Sequence, residues 1–183
     1  MRLLYYWVVL VLVGWAGMRP ALAQITQPTA TITINAGALS ISHAGSVTFA
    51  PLTLNGLDQA ATCTSTPTLT LTDARGSGSG WNVTLSATNF TSGGNSILAS
   101  GFTFTGPGGT VTTVAGNAPP TQSTVVAQAL SPGGFKVLSA AANTGMGRYT
   151  YTPATAQFGL TVPASTFAGN YSSTMTFTIA SGP

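Results

Sequence analysis

The chain has 183 residues, 44% of them hydrophobic and only 4% charged, with a formal net charge of +3. Two acidic residues, one histidine and one cysteine leave little material for acid–base catalysis or a metal centre, and none for an intrachain disulfide. The five basic residues lie scattered at Arg2, Arg19, Arg75, Lys136 and Arg148, so they make no cluster for phosphate and nucleic acid is not an expected partner.

Residues 1–23 read as an address rather than as part of the fold. Arg2 supplies a short positive start, residues 3–17 are almost continuously apolar, and Ala21-Leu22-Ala23 matches an A-x-A cleavage site. That is the layout of a secretory signal peptide, which predicts a mature chain from Gln24. The apolar run is shorter than the ~20 residues a spanning helix needs, and no later stretch is long enough, so no membrane span is expected after cleavage. The remainder, residues 24–183, is long enough for one domain with its own core. Three basic residues (Arg75, Lys136, Arg148) then face two acidic ones (Asp58, Asp73), a net of 3 − 2 = +1. Thr, Ser, Asn and Gln must cover the surface instead.

Strands are expected almost everywhere. Residues 31–35 alternate and predict a strand with Ile32 and Ile34 inward. Residues 39–41 and 47–54 come next, with Pro51 marking an edge or a bulge, and 55–67 read as a polar connection. Two alternating runs then flank a loop rich in Gly and Ser. In the first, Leu69 and Leu71 share a face. In the second, Trp81, Val83, Leu85 and Ala87 oppose Asn82, Thr84, Ser86 and Thr88. Period-two alternation predicts strands with one buried and one wet face. Residues 91–95 read as a Gly-rich turn. Further strands are predicted at 102–105, 111–114, 124–129, 135–139, 148–152 and 157–162. The run 171–180 alternates to the end, with Tyr171, Ser173, Met175, Phe177 and Ile179 on one face. Many short strands between turn signals predict an all-β fold, a single β-sandwich of Ig-like or Greek-key type.

Several residues carry two readings. Trp81 could stack on a sugar or an apolar partner, but its register with Val83 and Leu85 also fits a core position. Asp73 and Arg75 could touch a ligand at the loop mouth, or could brace the loop through backbone bonds. Tyr149 and Tyr151 share one face of a short strand. They form a small platform if outward, and need hydroxyl partners if inward. Cys63 reads as a small, partly buried side chain or as a thiol for a second molecule. His43 reads as an exposed turn residue. Asp58 and Asp73 are the only carboxylate side chains, and nothing in the sequence brings them together across a substrate. No catalytic residue, cofactor or metal is expected.

The chain resembles the WxL domains of bacterial cell surfaces. The resemblance rests on Trp81-Asn82-Val83 behind the run Asp73-Ala74-Arg75-Gly76, and on Phe177-Thr178-Ile179 in a terminal strand that begins at Tyr171. Tyr149-Thr150-Tyr151-Thr152-Pro153 and Leu160-Thr161-Val162-Pro163-Ala164 also look like family segments. Val83 and Ile179 stand where the family has Leu, and Phe177 where it has the distal Trp; each change keeps an apolar side chain. The resemblance implies a secreted, non-catalytic surface module, held non-covalently on peptidoglycan or another cell-wall polymer, alone or with other surface proteins. By the same resemblance Trp81, Asp73, Arg75, Tyr149, Tyr151 and Phe177 are the candidate binding residues. The alternative is a structural or adhesin-like subunit that assembles through strand pairing, since open edges can add to a neighbour's sheet.

Overall fold

The computed structural model describes residues 27–183. The signal peptide expected over 1–23 and its cleavage site lie outside the described residues. Residues 27–34 belong to a first unit. They carry no secondary structure and are exposed throughout. The second unit, residues 35–183, holds every strand of the described chain.

Sixteen strands make it up, most of them short. β1 (Leu39–Ala44), β2 (Thr48–Phe49), β3 (Gln59–Ala61) and β4 (Cys63–Ser65) come first. β5 (Thr68–Asp73) and β6 (Trp81–Ala87) flank the Gly/Ser loop. β7 (Phe90–Ser92) and β8 (Asn95–Ile97) form a hairpin, followed by β9 (Phe102–Gly106) and β10 (Thr110–Gly116). β11 (Thr121–Gln122), β12 (Val125–Ala129), β13 (Phe135–Ala140), β14 (Gly147–Thr152), β15 (Phe158–Val162) and β16 (Met175–Ser181) complete the chain.

The protein is an all-β sandwich. One sheet has the order β1-β5-β14-β10, the second β11-β13-β6-β16, and a third β12-β9-β15-β3. All named pairings are antiparallel. The alternation that marks the strands in the sequence is what packs the sheets. In β5, Leu69, Leu71 and Asp73 are buried while the threonines between them are half-exposed. In β6, Trp81, Val83, Leu85 and Ala87 are buried. Tyr149 and Tyr151 of β14 lie opposite Leu71 and Leu69, so both point inward with them. The two faces meet where the Trp81 and Tyr149 rings approach to 6.3 Å between centroids. A second aromatic group fills the other end. Phe102 packs edge-on to Phe90 at 5.2 Å, and Phe104 edge-on to Phe158 at 5.3 Å. Such contacts contribute about 0.5–1.5 kcal/mol each beyond the burial itself.

Several expectations need correction. Residues 31–35 form no strand, and Ile32 and Ile34 are each 85% exposed. Alternation is a necessary pattern for a half-buried strand but not a sufficient one, since a strand also needs a partner and residues 31–35 enter no ladder of the described chain. Residues 47–54 shorten to the two-residue β2, because Pro51 cannot donate to a ladder. The connection 55–67 contains β3 and β4. The turn expected at 91–95 is the tip of the β7–β8 hairpin. Gly93 and Gly94, with φ of +53° and +92°, supply the left-handed pair that a two-residue hairpin loop requires. The last strand starts at Met175 rather than Tyr171; before it only Ser172 makes a bridge, to Thr91.

Candidate functional site

The loop after β5 is held by its own two charges. Asp73 is 3% exposed. Its Oδ1 accepts from the Arg75 backbone N–H at 3.2 Å and from Arg75 Nε at 2.9 Å, and its Oδ2 accepts from Nη2 at 2.9 Å. The guanidinium goes further: Nη2 donates to the Gly80 carbonyl at 2.8 Å and Nη1 to Ser181 Oγ at 2.6 Å. Arg75 thereby ties the end of β5 to the start of β6 and the end of β16. Its side chain hydrogen bonds hold the Asp73 carboxyl below the ordinary aspartate range, against the opposing effect of burial. Gly80 closes the loop at φ +68°, where an added Cβ would collide with the Ala140 carbonyl oxygen.

The aromatic residues behind this loop are equally committed. Trp81 is 1% exposed, and its indole N–H donates to the Gly145 carbonyl at 2.8 Å. The Tyr149 hydroxyl lies 2.9 Å from the Met146 carbonyl, to which it donates. Tyr151 donates to Gln157 Oε1 at 3.3 Å, and burial pushes its pKa up to about 12. Burial, followed by the charge of Asp73, also raises that of Tyr149. The structure therefore brings Asp73, Arg75, Trp81 and Tyr149 together at one end of the sandwich, as a braced layer with its polar atoms paired internally. Trp81, Asp73, Tyr149 and Tyr151 present no surface to a polymer in this conformation. Arg75 stays partly open, with its side chain 18% exposed.

Phe177 is placed differently. It lies opposite Leu85 in the β6–β16 ladder and is only half-buried. β16 is the last strand of its sheet and β1 the last strand of the sheet facing it. Between these two edges the sandwich is open. A slot of about 380 Å³ lies there, lined by Ile41, His43, Val47, Leu69, Met175 and Phe177. It runs into a larger open cleft of about 870 Å³, with which it shares Val47, Ser173 and Met175. Phe49, Leu52 and Phe102 contribute to the apolar side of the cleft, and Phe167 and Tyr171 stand beside Thr53, Thr166 and Asn170 at its rim. Phe167 is 68% exposed. The Tyr171 hydroxyl donates to the backbone carbonyl of Phe167 at 3.0 Å, which ties the Tyr171 ring to the loop that carries Phe167.

Reading the sequence missed this cleft. Phe167 sits in Pro163-Ala164-Ser165-Thr166-Phe167-Ala168-Gly169-Asn170, a run with no strand alternation. One large aromatic alone among turn residues was the available signal, because a loop has no buried face to place it on. Cys63 is buried as a small side chain of the core, and burial raises its pKa. His43 is exposed at the end of β1 rather than in a turn.

The protein is thus an all-β sandwich with an open cleft that no charged side chain lines, and with a polar layer bound into its core. The chain belongs to the WxL domain surface cell wall-binding family, whose description it matches over residues 19–183. It is thus a surface module of the class that associates with the cell wall. Comparison with the curated proteins gives no match, and comparison with the solved structures gives none.

Proposed function

We propose that this chain is exported behind a cleaved leader of residues 1–23, acts without catalysis, and holds to peptidoglycan through the open cleft beside β16. The observation that carries the site is the exposed Phe167, on a loop whose backbone is tied to Tyr171, beside an apolar cleft. Glycan strands present flat C–H faces and acetamido groups. Aromatic rings cover the first; Thr53, Thr166 and Asn170 offer hydrogen bonds to the second. Charge contributes little, because the described chain has so few charged side chains. Attachment by this route is expected to be nearly independent of salt. Phe177 and Arg75 lie outside the aromatic rim and are secondary contacts at most. Other surface proteins remain partners for the remaining faces.

The test is co-sedimentation with purified sacculi. Phe167→Ala should weaken binding by about tenfold or more, the loss of one aromatic anchor at a rim, with its thermal melt unchanged. Trp81→Phe, where it remains folded, should bind as the wild type does. Undiminished binding by Phe167→Ala would remove the cleft from the reading while leaving wall attachment itself standing.

A further inference from the structure

The turn between β2 and β3 carries chemistry of its own. Asn55 is the single asparagine of the described residues that is followed by glycine. Both residues are exposed, and Gly56 sits at φ +81° with nothing within 4 Å of where a Cβ would stand. Its backbone nitrogen therefore has no side chain beside it and open space on that side. The Leu57 N–H donates to Asn55 Oδ1 at 3.0 Å. That bond closes a ring containing both Asn55 Cγ and the Gly56 nitrogen, so the side-chain carbonyl is folded back along the next peptide unit. It also draws electron density from Cγ, the atom a nucleophile attacks. The other asparagines lack this combination. Asn82, Asn89 and Asn117 hold hydrogen bonds to distant segments, and each precedes a residue with a Cβ.

We propose that Asn55 is a site of spontaneous deamidation, and that the isoaspartate it yields loosens two segments of the cleft lining. The Gly56 nitrogen gives up its proton and attacks Asn55 Cγ. The new N–C bond forms as the bond from Cγ to Nδ2 breaks, and ammonia leaves with that proton. The product is a cyclic succinimide, which water opens at one of its two carbonyls. Opening at Cγ gives aspartate in an unaltered backbone. Opening at the main-chain carbonyl gives isoaspartate, whose chain runs through Cβ and is longer by one carbon. Water is the sole co-reactant, and nothing is oxidised or reduced.

The place of the turn gives the change its consequence. Gln59 Nε2 donates to the Thr53 carbonyl at 3.1 Å, which closes the turn at its base. Asp58 Oδ1 accepts from the Ala164 N–H at 2.8 Å, which ties the turn to the loop that carries Phe167. Thr53 and Leu54 line the cleft, and so do Thr166 and Phe167. The two ties fix the length of chain between them, so a carbon added at position 55 strains both. The aspartate product adds a charge but no length, and its carboxylate can still accept from the Leu57 N–H.

The test ages the chain recovered from the medium of a secreting host in warm, mildly alkaline buffer. Proteolytic mass mapping and isoaspartyl methyltransferase labelling follow the product. The wild type should convert at Asn55 about tenfold faster than at any other asparagine, because glycine alone leaves the attacking nitrogen unshielded. Conversion should quicken as pH rises, since that nitrogen must lose its proton. Asn55→Gln should stay intact, as its longer side chain would have to close a larger ring, and Gly56→Ala should convert far more slowly. Amide exchange at residues 53–59 and 163–167 should rise about tenfold in the isoaspartate fraction. It should keep its fresh value in aged Asn55→Gln, and in Asn55→Asp, which has the charge without the added carbon. The aged wild type should also release sacculi, an arm that rests on the cleft being the wall site. Fresh protein that fails to bind sacculi would count against that reading, while the masses and the exchange would still decide this one. An Asn55 that survives conditions under which a free peptide of residues 53–58 converts, conversion no faster than at the other asparagines, or isoaspartate with unchanged exchange would each overturn the proposal.

Discussion

Trp81→Phe separates a core role from a contact role for the residue that gives the family half of its signature. The substitution removes the indole N–H that donates to the Gly145 carbonyl at 2.8 Å. Gly145 is itself buried, so its carbonyl loses a partner that water cannot replace, at a cost of about 1–3 kcal/mol. The smaller ring also withdraws roughly 40–60 Å² of buried apolar surface, another 1–1.5 kcal/mol or so at ~25 cal/mol per Å². Together these predict a loss of about 2–4 kcal/mol, or a urea midpoint lower by roughly 1–2 M for a domain of this size. Far-UV circular dichroism is the probe for the variant, because Trp81 is the single tryptophan of the described residues 27–183. In the wild type that same fact makes fluorescence a one-site reporter. Its emission should be that of a dry indole, should shift red on unfolding, and should not respond to added sacculi. An unchanged midpoint combined with lost wall binding would refute the reasoning and move Trp81 to the surface that meets the polymer.

Asp73→Asn should destabilise by about 1–3 kcal/mol, since it keeps the shape but leaves the Arg75 guanidinium without its charged partner. It should also remove an acid sensitivity. Because the folded pKa of Asp73 is depressed, its contribution is present above the unfolded aspartate value near 4 and is lost as pH falls through the lower folded value; urea midpoints from pH 5 downward should slope for the wild type and flatten for the variant. At the alkaline end Tyr151, raised from 10.0 to about 12, contributes stability that is complete below pH ~10 and is lost as pH rises through its folded value, roughly 2–3 kcal/mol in all. Tyr151→Phe should remove most of that loss between pH 10 and 12. Gly80→Ala should destabilise beyond the ~1 kcal/mol of an ordinary left-handed site, because the methyl meets the Ala140 carbonyl; a thermal melt within a few degrees of the wild type would show that the β6–β13 approach can relax.

Strands were legible wherever one face had to be dry and the other wet. β5, β6, β14 and β16 all show the alternation; the buried positions of the first three follow it residue by residue, and in β16 the half-buried ones do. The same rule failed at residues 31–35, where the pattern is as clean as in β16 but no edge of the described chain receives it. Periodicity reports what a segment could bury, and the sheet that buries it is decided elsewhere. It failed in the other direction at β3, β4, β7 and β8, which are three residues each and too short to establish a period. The braced loop was half legible: Asp73 and Arg75 are near enough in sequence to pair, but the reach of Arg75 to Ser181 depends on β6 lying between β5's loop and β16, which is a matter of topology.

The two signature segments, far apart in sequence, are neighbours in one sheet. In the β6–β16 ladder Val83 faces Ile179 and Leu85 faces Phe177, with Trp81 opposite Ser181. Phe177 and Ile179 pack, partly buried, against the core cluster that holds Val83 and Leu85, which explains how Phe and Ile can stand where the family pattern has Trp and Leu without loss of the sandwich. The residues by which the chain is recognised are therefore mainly those that fill its interior. Phe177 and Ile179 are half-buried, and Phe177 borders the slot, not the cleft. A wall contact must accordingly be sought among residues that the signature does not contain. Phe167 meets that requirement because its loop has no interior face to hide it, so its exposure is not a by-product of strand register. Trp81, Val83, Phe177 and Ile179 do not line the cleft that holds Phe167, so substitutions at the signature positions can proceed without altering the lining of that cleft.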